Sequence, residues 1–250
     1  MGISAFELQT IIWLIEQRRK TAPDGPLRVL CLSYPDMLID RTDMSWLIGE
    51  EAADGLRIRE DSAQIAKGHN LEKFSDSVVY PEDVFKALGV DFVISDVRAS
   101  PTTHVVFDLN EPMPPSFVDN YDLIIDPGTI EHCFNIAQAM KNLAEMTKVG
   151  GFIFHQVPGA YINHGFYSIS PTFLLDFYQK NGFLVLDLRY PIKKEDQSAQ
   201  NPTDRLDFVD MMTFDAPTEL TTYPIVLRAI VMKQRVAQIK WPMQRIYGGP

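Results

Sequence analysis

Tyr121-Asp-Leu-Ile-Ile-Asp126-Pro-Gly-Thr-Ile-Glu131-His132 decides how this chain is read. A short apolar run bracketed by aspartates and closed by Pro-Gly is the pattern of a strand buried on both faces that stops in a turn. Beyond it, Ile136, Met140 and Leu143 fall on one face of an amphipathic helix, and Lys148-Val-Gly150-Gly151 leads into a second apolar run at 152–157. Strand, helix and strand at this spacing make a parallel crossover unit.

Working outward, similar runs occur upstream at 28–33, 92–95 and 104–107, and downstream at 184–188 and 225–232, so that with 123–125 and 152–157 there are seven candidate strands. Helical patterns lie between them. Leu8, Ile11, Ile12 and Ile15 repeat at helical spacing, with Arg18, Arg19 and Lys20 toward the end, where cations suit the helix dipole. Another helix opens at Pro81 and stops at Gly89; a third spans 170–182, with Ser170 as cap, Pro171 in its first turn and Gly182 past its end. The alternation predicts an α/β fold with a mainly parallel sheet covered on both faces. Two segments exceed ordinary connections: 34–80, with short helices expected such as 44–53, and the polar stretch 193–222. Both are candidate lids or partner surfaces. Residues 234–250, with Trp241, read as an arm, so the expected organisation is one domain over 1–250 with an insertion at about 34–80 and a C-terminal arm.

Of 250 residues, 46% are hydrophobic and 22% charged, enough apolar material for a core and a poor match to disorder. The net charge of −10 opposes binding to nucleic acid or an anionic membrane, and a small-molecule partner suits it better. The apolar run at 11–15 falls far short of the ~20 residues that span a bilayer, and no cleavable signal is read before Glu7, so a cytoplasmic location is expected. Cys31 and Cys133 each sit in an apolar stretch and read as free buried thiols. A homo-oligomer or a partner protein stays open.

The stretch at 121–132 resembles the fourth strand of class I S-adenosylmethionine (SAM)-dependent methyltransferases, where a "fDlvi...tleH" pattern is common. Lys148-Val-Gly150-Gly151-Phe is similar to the "k-x-GG" turn that opens the family's fifth strand. Asn163-His-Gly-Phe-Tyr167-Ser-Ile-Ser-Pro171, with Asn181-Gly182-Phe183, is similar to the "HGFYxxSP...nGF" segment of a bacterial and phage-associated group of methyltransferase-like proteins. Together the resemblance covers roughly 26–190. It implies a Rossmann-like seven-stranded sheet of order 3-2-1-4-5-7-6 with the last strand antiparallel, SAM as cofactor, and binding at the carboxyl ends of the strands.

The resemblance also implies roles for particular residues. Ser33 opens the cofactor loop after strand one, where the family places GxGxG and this chain has Ser33-Tyr-Pro-Asp36-Met without a glycine. Asp96 matches the ribose acceptor, Asp108 with Leu109 the adenine site, and Asp126 the place beside the methionine or the acceptor; diols and exocyclic amines need acceptors such as carboxylates. Each aspartate taken alone reads first as a turn former or helix cap, and it is Asp96 and Asp108 together, in family register, that support the cofactor reading. His132 and His164 are the histidines within family motifs and the candidate general bases, with Asp126 beside them, and Glu131 and Tyr167 are candidate substrate contacts. No HxxH or HExxH spacing places two ligands on one helical face, so no metal is expected. The function implied is SAM-dependent methyl transfer to a small acceptor such as a sugar, glycan precursor or secondary metabolite. Two alternatives stand beside it: a scaffold or partner subunit without SAM chemistry, and the same fold catalysing a cyclisation, elimination or hydrolysis.

Overall fold

The computed structural model describes residues 2–22, 24–161, 163–212 and 225–247. The chain opens with strand β1 (Gly2–Ser4) and helix α1 (Ala5–Thr21), in which Leu8, Ile11, Leu14 and Ile15 are buried. The first sheet strand β2 (Arg28–Leu32) follows. Next come β3 (Asp36–Leu38), α2 (Arg41–Ile48), α3 (Glu50–Asp54) and α4 (Ser62–Gly68) within the long segment read as an insertion. Of the short helices expected in this segment, the one read at 44–53 is two, broken at Gly49, whose φ of 88° lies outside helical space. Helix α5 (Pro81–Ala87) leads to β4 (Asp91–Asp96) and the two-residue β5 (Val105–Val106).

The second half alternates as read: β6 (Tyr121–Asp126), α6 (Ile136–Met146), β7 (Thr147–Ala160), α7 (Pro171–Lys180), β8 (Phe183–Lys193), then β9 (Leu206–Asp210) and β10 (Ile225–Lys233). Ser170 occupies the cap position of α7, but its hydroxyl meets Thr172 Oγ1 at 3.2 Å instead of capping a backbone N–H. The final Gly-Gly-Pro and residues 213–222 of the polar stretch lie outside the described residues.

The sheet order is β5-β4-β2-β6-β7-β10-β8-β9. β5, β4, β2, β6 and β7 run parallel, whereas β10 is antiparallel to both β7 and β8. With the seven expected strands numbered along the chain, this is the order 3-2-1-4-5-7-6 with strand seven reversed. The main sheet has eight strands, not seven, because β9 pairs antiparallel with the far half of β8 and forms an added edge; β1 and β3 pair separately as a two-stranded sheet. Its Leu-Asp-Phe-Val-Asp sequence is half exposed, so no buried apolar run marks it. The third expected strand is also shorter than 104–107. His104 instead docks on β4 through its ring, with the Ile94 N–H donating to His104 Nδ1 at 3.0 Å.

Alternation along β6 divides the core. Leu123 and Ile125 pack toward α1 and α5, and Ile124 packs toward α6 and α7. At the amino edge of the sheet, buried Asp122 accepts from Arg18 Nε at 2.9 Å and Lys148 Nζ at 2.7 Å, tying α1 to β6 and β7. The arm docks along α7: the Lys240 N–H donates to Asn181 Oδ1 at 2.7 Å, Arg245 meets Asp176, and Trp241 faces Phe177. Both cysteines are free and buried, as read. Among the described residues, no helix is long and apolar enough to cross a membrane.

Candidate functional site

The connections from β2 and β6 leave in opposite directions across the sheet, which opens a crevice beyond their carboxyl ends. Pairing of Leu32 with Ser95, Cys31 with Ile125 and Asp96 with Val106 aligns Ser33, Asp96, Asp108 and Asp126 along that edge. The Thr129 hydroxyl donates to the Leu32 carbonyl and stitches the two strand ends together. Ser33 itself has φ 113°, a conformation that L-residues rarely adopt and glycine adopts freely. Its Oγ is buried and has no hydrogen-bond partner among the described residues.

The other residues implied for the cofactor fall as follows. Asp96 Oδ1 accepts the Arg98 N–H at 2.9 Å, and Asp108 Oδ1 accepts the Asn110 N–H at 2.9 Å and its Nδ2 at 2.7 Å. One oxygen of each carboxylate therefore shapes a turn, and the second carries no hydrogen bond among the described residues. Leu109 is buried under α6, with its carbonyl accepting from Asn142 Nδ2 at 3.0 Å.

Asp126 points inward. His155 Nδ1 stands 2.7 Å from Asp126 Oδ2, and His155 Nε2 stands 2.6 Å from the Tyr178 hydroxyl; Asp126 and His155 have no exposure. Burial, reinforced by the Asp126 charge, pushes the Tyr178 phenol well above its ordinary pKa. Asp126 Oδ1 accepts the Thr129 N–H at 2.8 Å and so shapes the turn that carries Glu131. His155 is the member of this trio that is not among the site residues implied by the resemblance. The available signal is its register, directly opposite Asp126 across β6 and β7.

Glu131, His132, His164 and Tyr167 are brought together. Glu131 lies in a 3-10 turn (Ile130–His132) with 0% exposure, and neither carboxylate oxygen has a hydrogen-bond partner among the described residues. Its nearest polar neighbours are His164 Nε2 at 3.5 Å and His132 Nε2 at 3.8 Å. Burial, and then the negative charge of Asp126, push the Glu131 carboxyl up to about 8. The two imidazoles lie 5.1 Å apart with side chains 46% and 45% exposed, and burial, with His164 adding, holds His132 below its ordinary pKa. The loop after β7 reaches the turn because the Phe166 N–H donates to the Glu131 carbonyl at 2.8 Å and Gly165 adopts φ 69°. Tyr167 closes the same contact through its hydroxyl to the Phe134 carbonyl at 2.8 Å.

Beside this cluster, a cavity of about 740 Å³ opens over the carboxyl ends of β7 and β8 and the start of β10. Glu7, His69, Gln156, Tyr161, Tyr190 and Arg205 are among its lining residues. Tyr161 joins the cavity to the histidine pair, its ring 5.3 Å from that of His164. Gln156 Nε2 donates to Glu7 Oε1 at 3.0 Å, and Arg205 forks onto Asp43 with both bonds at 2.6 Å. These residues come from α1, the segment 34–80, β7 and the loop after it, β8 and the approach to β9; for His69 and Arg205, only the length of the two long segments signals them in the sequence.

A sheet of order 3-2-1-4-5-7-6 with its seventh strand reversed now stands beside a carboxyl-edge crevice. The fold is that of class I SAM-dependent methyltransferases. No protein-family model and no curated protein sequence matches the chain. Among solved structures, it is similar to the 1,6-didemethyltoxoflavin-N1-methyltransferase of Burkholderia thailandensis, at 9% identity over 89% of this chain and 77% of that one, with a TM-score of 0.42. It is similar to a SAM-dependent methyltransferase of Archaeoglobus fulgidus at 12% identity over 88% and 93%, with a TM-score of 0.42. The N-methyltransferase NodS of Bradyrhizobium japonicum is 9% identical over 92% and 88%, with a TM-score of 0.41. Strand order and direction define the fold; these likenesses are distant.

Proposed function

We propose that this chain binds SAM at the carboxyl edge of β2, β4 and β5 and transfers its methyl group to a small acceptor, such as a sugar, glycan precursor or secondary metabolite. The observation that carries the reading is Ser33 at φ 113°: the loop after the first sheet strand takes a glycine-like backbone conformation without a glycine. Such strain persists where the surrounding structure holds it, and it concentrates at ligand sites. The orphaned Ser33 Oγ and the spare oxygens of Asp96 and Asp108 fit a ligand that brings hydroxyl and amine donors.

Bound SAM supplies a methyl group on a sulfonium, already activated for in-line displacement. The chain's task is then alignment and proton removal. The large cavity receives the acceptor, Tyr161 leads toward His164, and the half-exposed His132 and His164 supply imidazole nitrogens to an acceptor hydroxyl or ammonium. Asp126 acts as a positioning residue, since its buried carboxylate holds the turn beneath Glu131. Residues 34–80 belong to the same methyltransferase-like domain and wall the acceptor side.

Calorimetric titration with SAM and S-adenosylhomocysteine tests this reading. Micromolar binding supports it, and no binding up to millimolar ligand overturns it. The scaffold reading draws on one observation, that Asp96 and Asp108 each already serve a turn; it expects no SAM binding in that titration.

A further inference from the structure

Glu131 is a carboxyl group with 0% exposure and both oxygens without a hydrogen bond among the described residues. Buried carboxylates are ordinarily paired, hydrogen-bonded or bound to a cation. The two histidines that flank Glu131 are too distant to hydrogen-bond it, at 3.5 and 3.8 Å, yet both turn Nε2 toward the same oxygen. Two ligand atoms that share an ion at ~2.1 Å, with bond angles near 90–110°, stand about 3.0–3.4 Å apart. One ligand atom from each of Glu131, His132 and His164 lies within 4.8 Å of the others; the Glu131 pairs reach that spacing by contracting a few tenths of an ångström, and the two histidine nitrogens must close further by rotation of their half-exposed rings.

We infer that Glu131, His132 and His164 form a binding site for a divalent first-row transition ion, of the manganese, cobalt or zinc type. Two imidazoles and one carboxylate form the donor set that suits such ions, and three ligands leave further coordination positions open. Those positions face solvent, because both histidines are almost half exposed while Glu131 closes the protein side. An ion placed there would give the stranded carboxylate its missing partner. The chain's net charge of −10 favours the approach of a cation.

The site joins two backbone segments. His132 follows Glu131 directly, but His164 arrives from the loop after β7, brought in by the bond from the Phe166 N–H to the Glu131 carbonyl. Asp126, held in turn by His155 and Tyr178, fixes the start of the turn from below. Metal binding as such is independent of methyl transfer. One extension rests on the methyl-transfer reading: with the ion in place, His132 and His164 are ligands rather than bases, and the open positions hold an oxygen of the acceptor.

Tag-free protein, stripped of metal with a chelator, is titrated in the absence of SAM with Mn²⁺, Co²⁺ and Zn²⁺, using calorimetry and, for Co²⁺, visible absorption. The expected result is one equivalent bound at micromolar affinity by at least one of these ions. Glu131→Gln and His164→Ala should each weaken binding by ~10-fold or more, with circular dichroism unchanged. His164 is exposed, so its variant keeps the test open if Glu131→Gln fails to fold. No binding by the stripped protein, or equal binding by His164→Ala, overturns the inference. Because SAM is absent, a metal-binding protein that fails the SAM titration would retain this site and lose the methyl-transfer reading.

Discussion

Gly165 lies against Glu131 so closely that a Cβ at residue 165 would stand 2.8 Å from the Glu131 carbonyl oxygen and 2.9 Å from its Cγ. The loop after β7 can seat His164 beside Glu131 only because that atom is absent and because glycine accepts φ 69°. Gly165→Ala should therefore cost about 1–3 kcal/mol in urea unfolding and abolish the 2.8 Å bond from the Phe166 N–H. Unchanged stability together with unchanged Co²⁺ binding would show that the loop has an equivalent route to the turn.

At Ser33 the same backbone argument runs the other way. A serine held at φ 113° should gain from replacement by glycine, so Ser33→Gly should raise stability by about 1 kcal/mol. The buried, unpartnered hydroxyl also disappears in this variant. Thermal unfolding is the check, and a lowered Tm would mean that the hydroxyl serves a bond that outweighs the strain.

Asp96→Ala removes the carboxylate at the end of β4 while leaving the strand itself intact. Under the methyl-transfer reading, SAM should bind ~10-fold or more weakly, the scale of a lost charge-assisted bond. Equal affinity in calorimetry would restrict Asp96 to its turn with Arg98.

Tyr178→Phe deletes the hydroxyl that meets His155 Nε2 at 2.6 Å. A buried ring nitrogen would be left without a partner, at a cost of about 1–3 kcal/mol. Urea unfolding monitors this. A negligible change would indicate that the Asp126–His155 pair is satisfied without the tyrosine.

Asp122 gives the fold an acid-sensitive joint. Burial alone would raise its pKa, but hydrogen bonds from Lys148, the Arg28 N–H and Arg18 hold it below the ordinary carboxylate value. A carboxylate depressed in the folded state stabilises fully above its unfolded pKa of ~3.9, and that contribution is lost as pH falls from there through the folded pKa. Wild-type stability should thus drop more steeply below about pH 4 than that of Asp122→Asn, measured by urea unfolding from pH 3 to 7. Parallel curves would remove Asp122 from the acid response.

How much of this was legible in the sequence depends on the range of the forces involved. Strands buried on both faces announce themselves as continuous apolar runs, and β2, β4, β6, β7 and β10 lie where those runs are. Alternation with helices pointed to a mainly parallel sheet, whereas the strand order was implied only by the resemblance to the methyltransferase family. Edge elements carry no such mark: β9 exists because the far half of β8 offers unpaired backbone groups, and β5 shrinks to Val105–Val106 at the opposite margin. In the site, the motif positions of Glu131, His132, His164 and Tyr167 were visible, and folding brings them together. Their geometry was not visible, since it depends on Gly165 resting on a carbonyl 34 positions earlier in the chain. His155 looked like one more residue of a strand until register set it opposite Asp126. Local periodicity and turn chemistry act over a few residues and can be read along the chain; burial of Glu131 without a partner arises from distant segments packing together, and only the tertiary structure decides it.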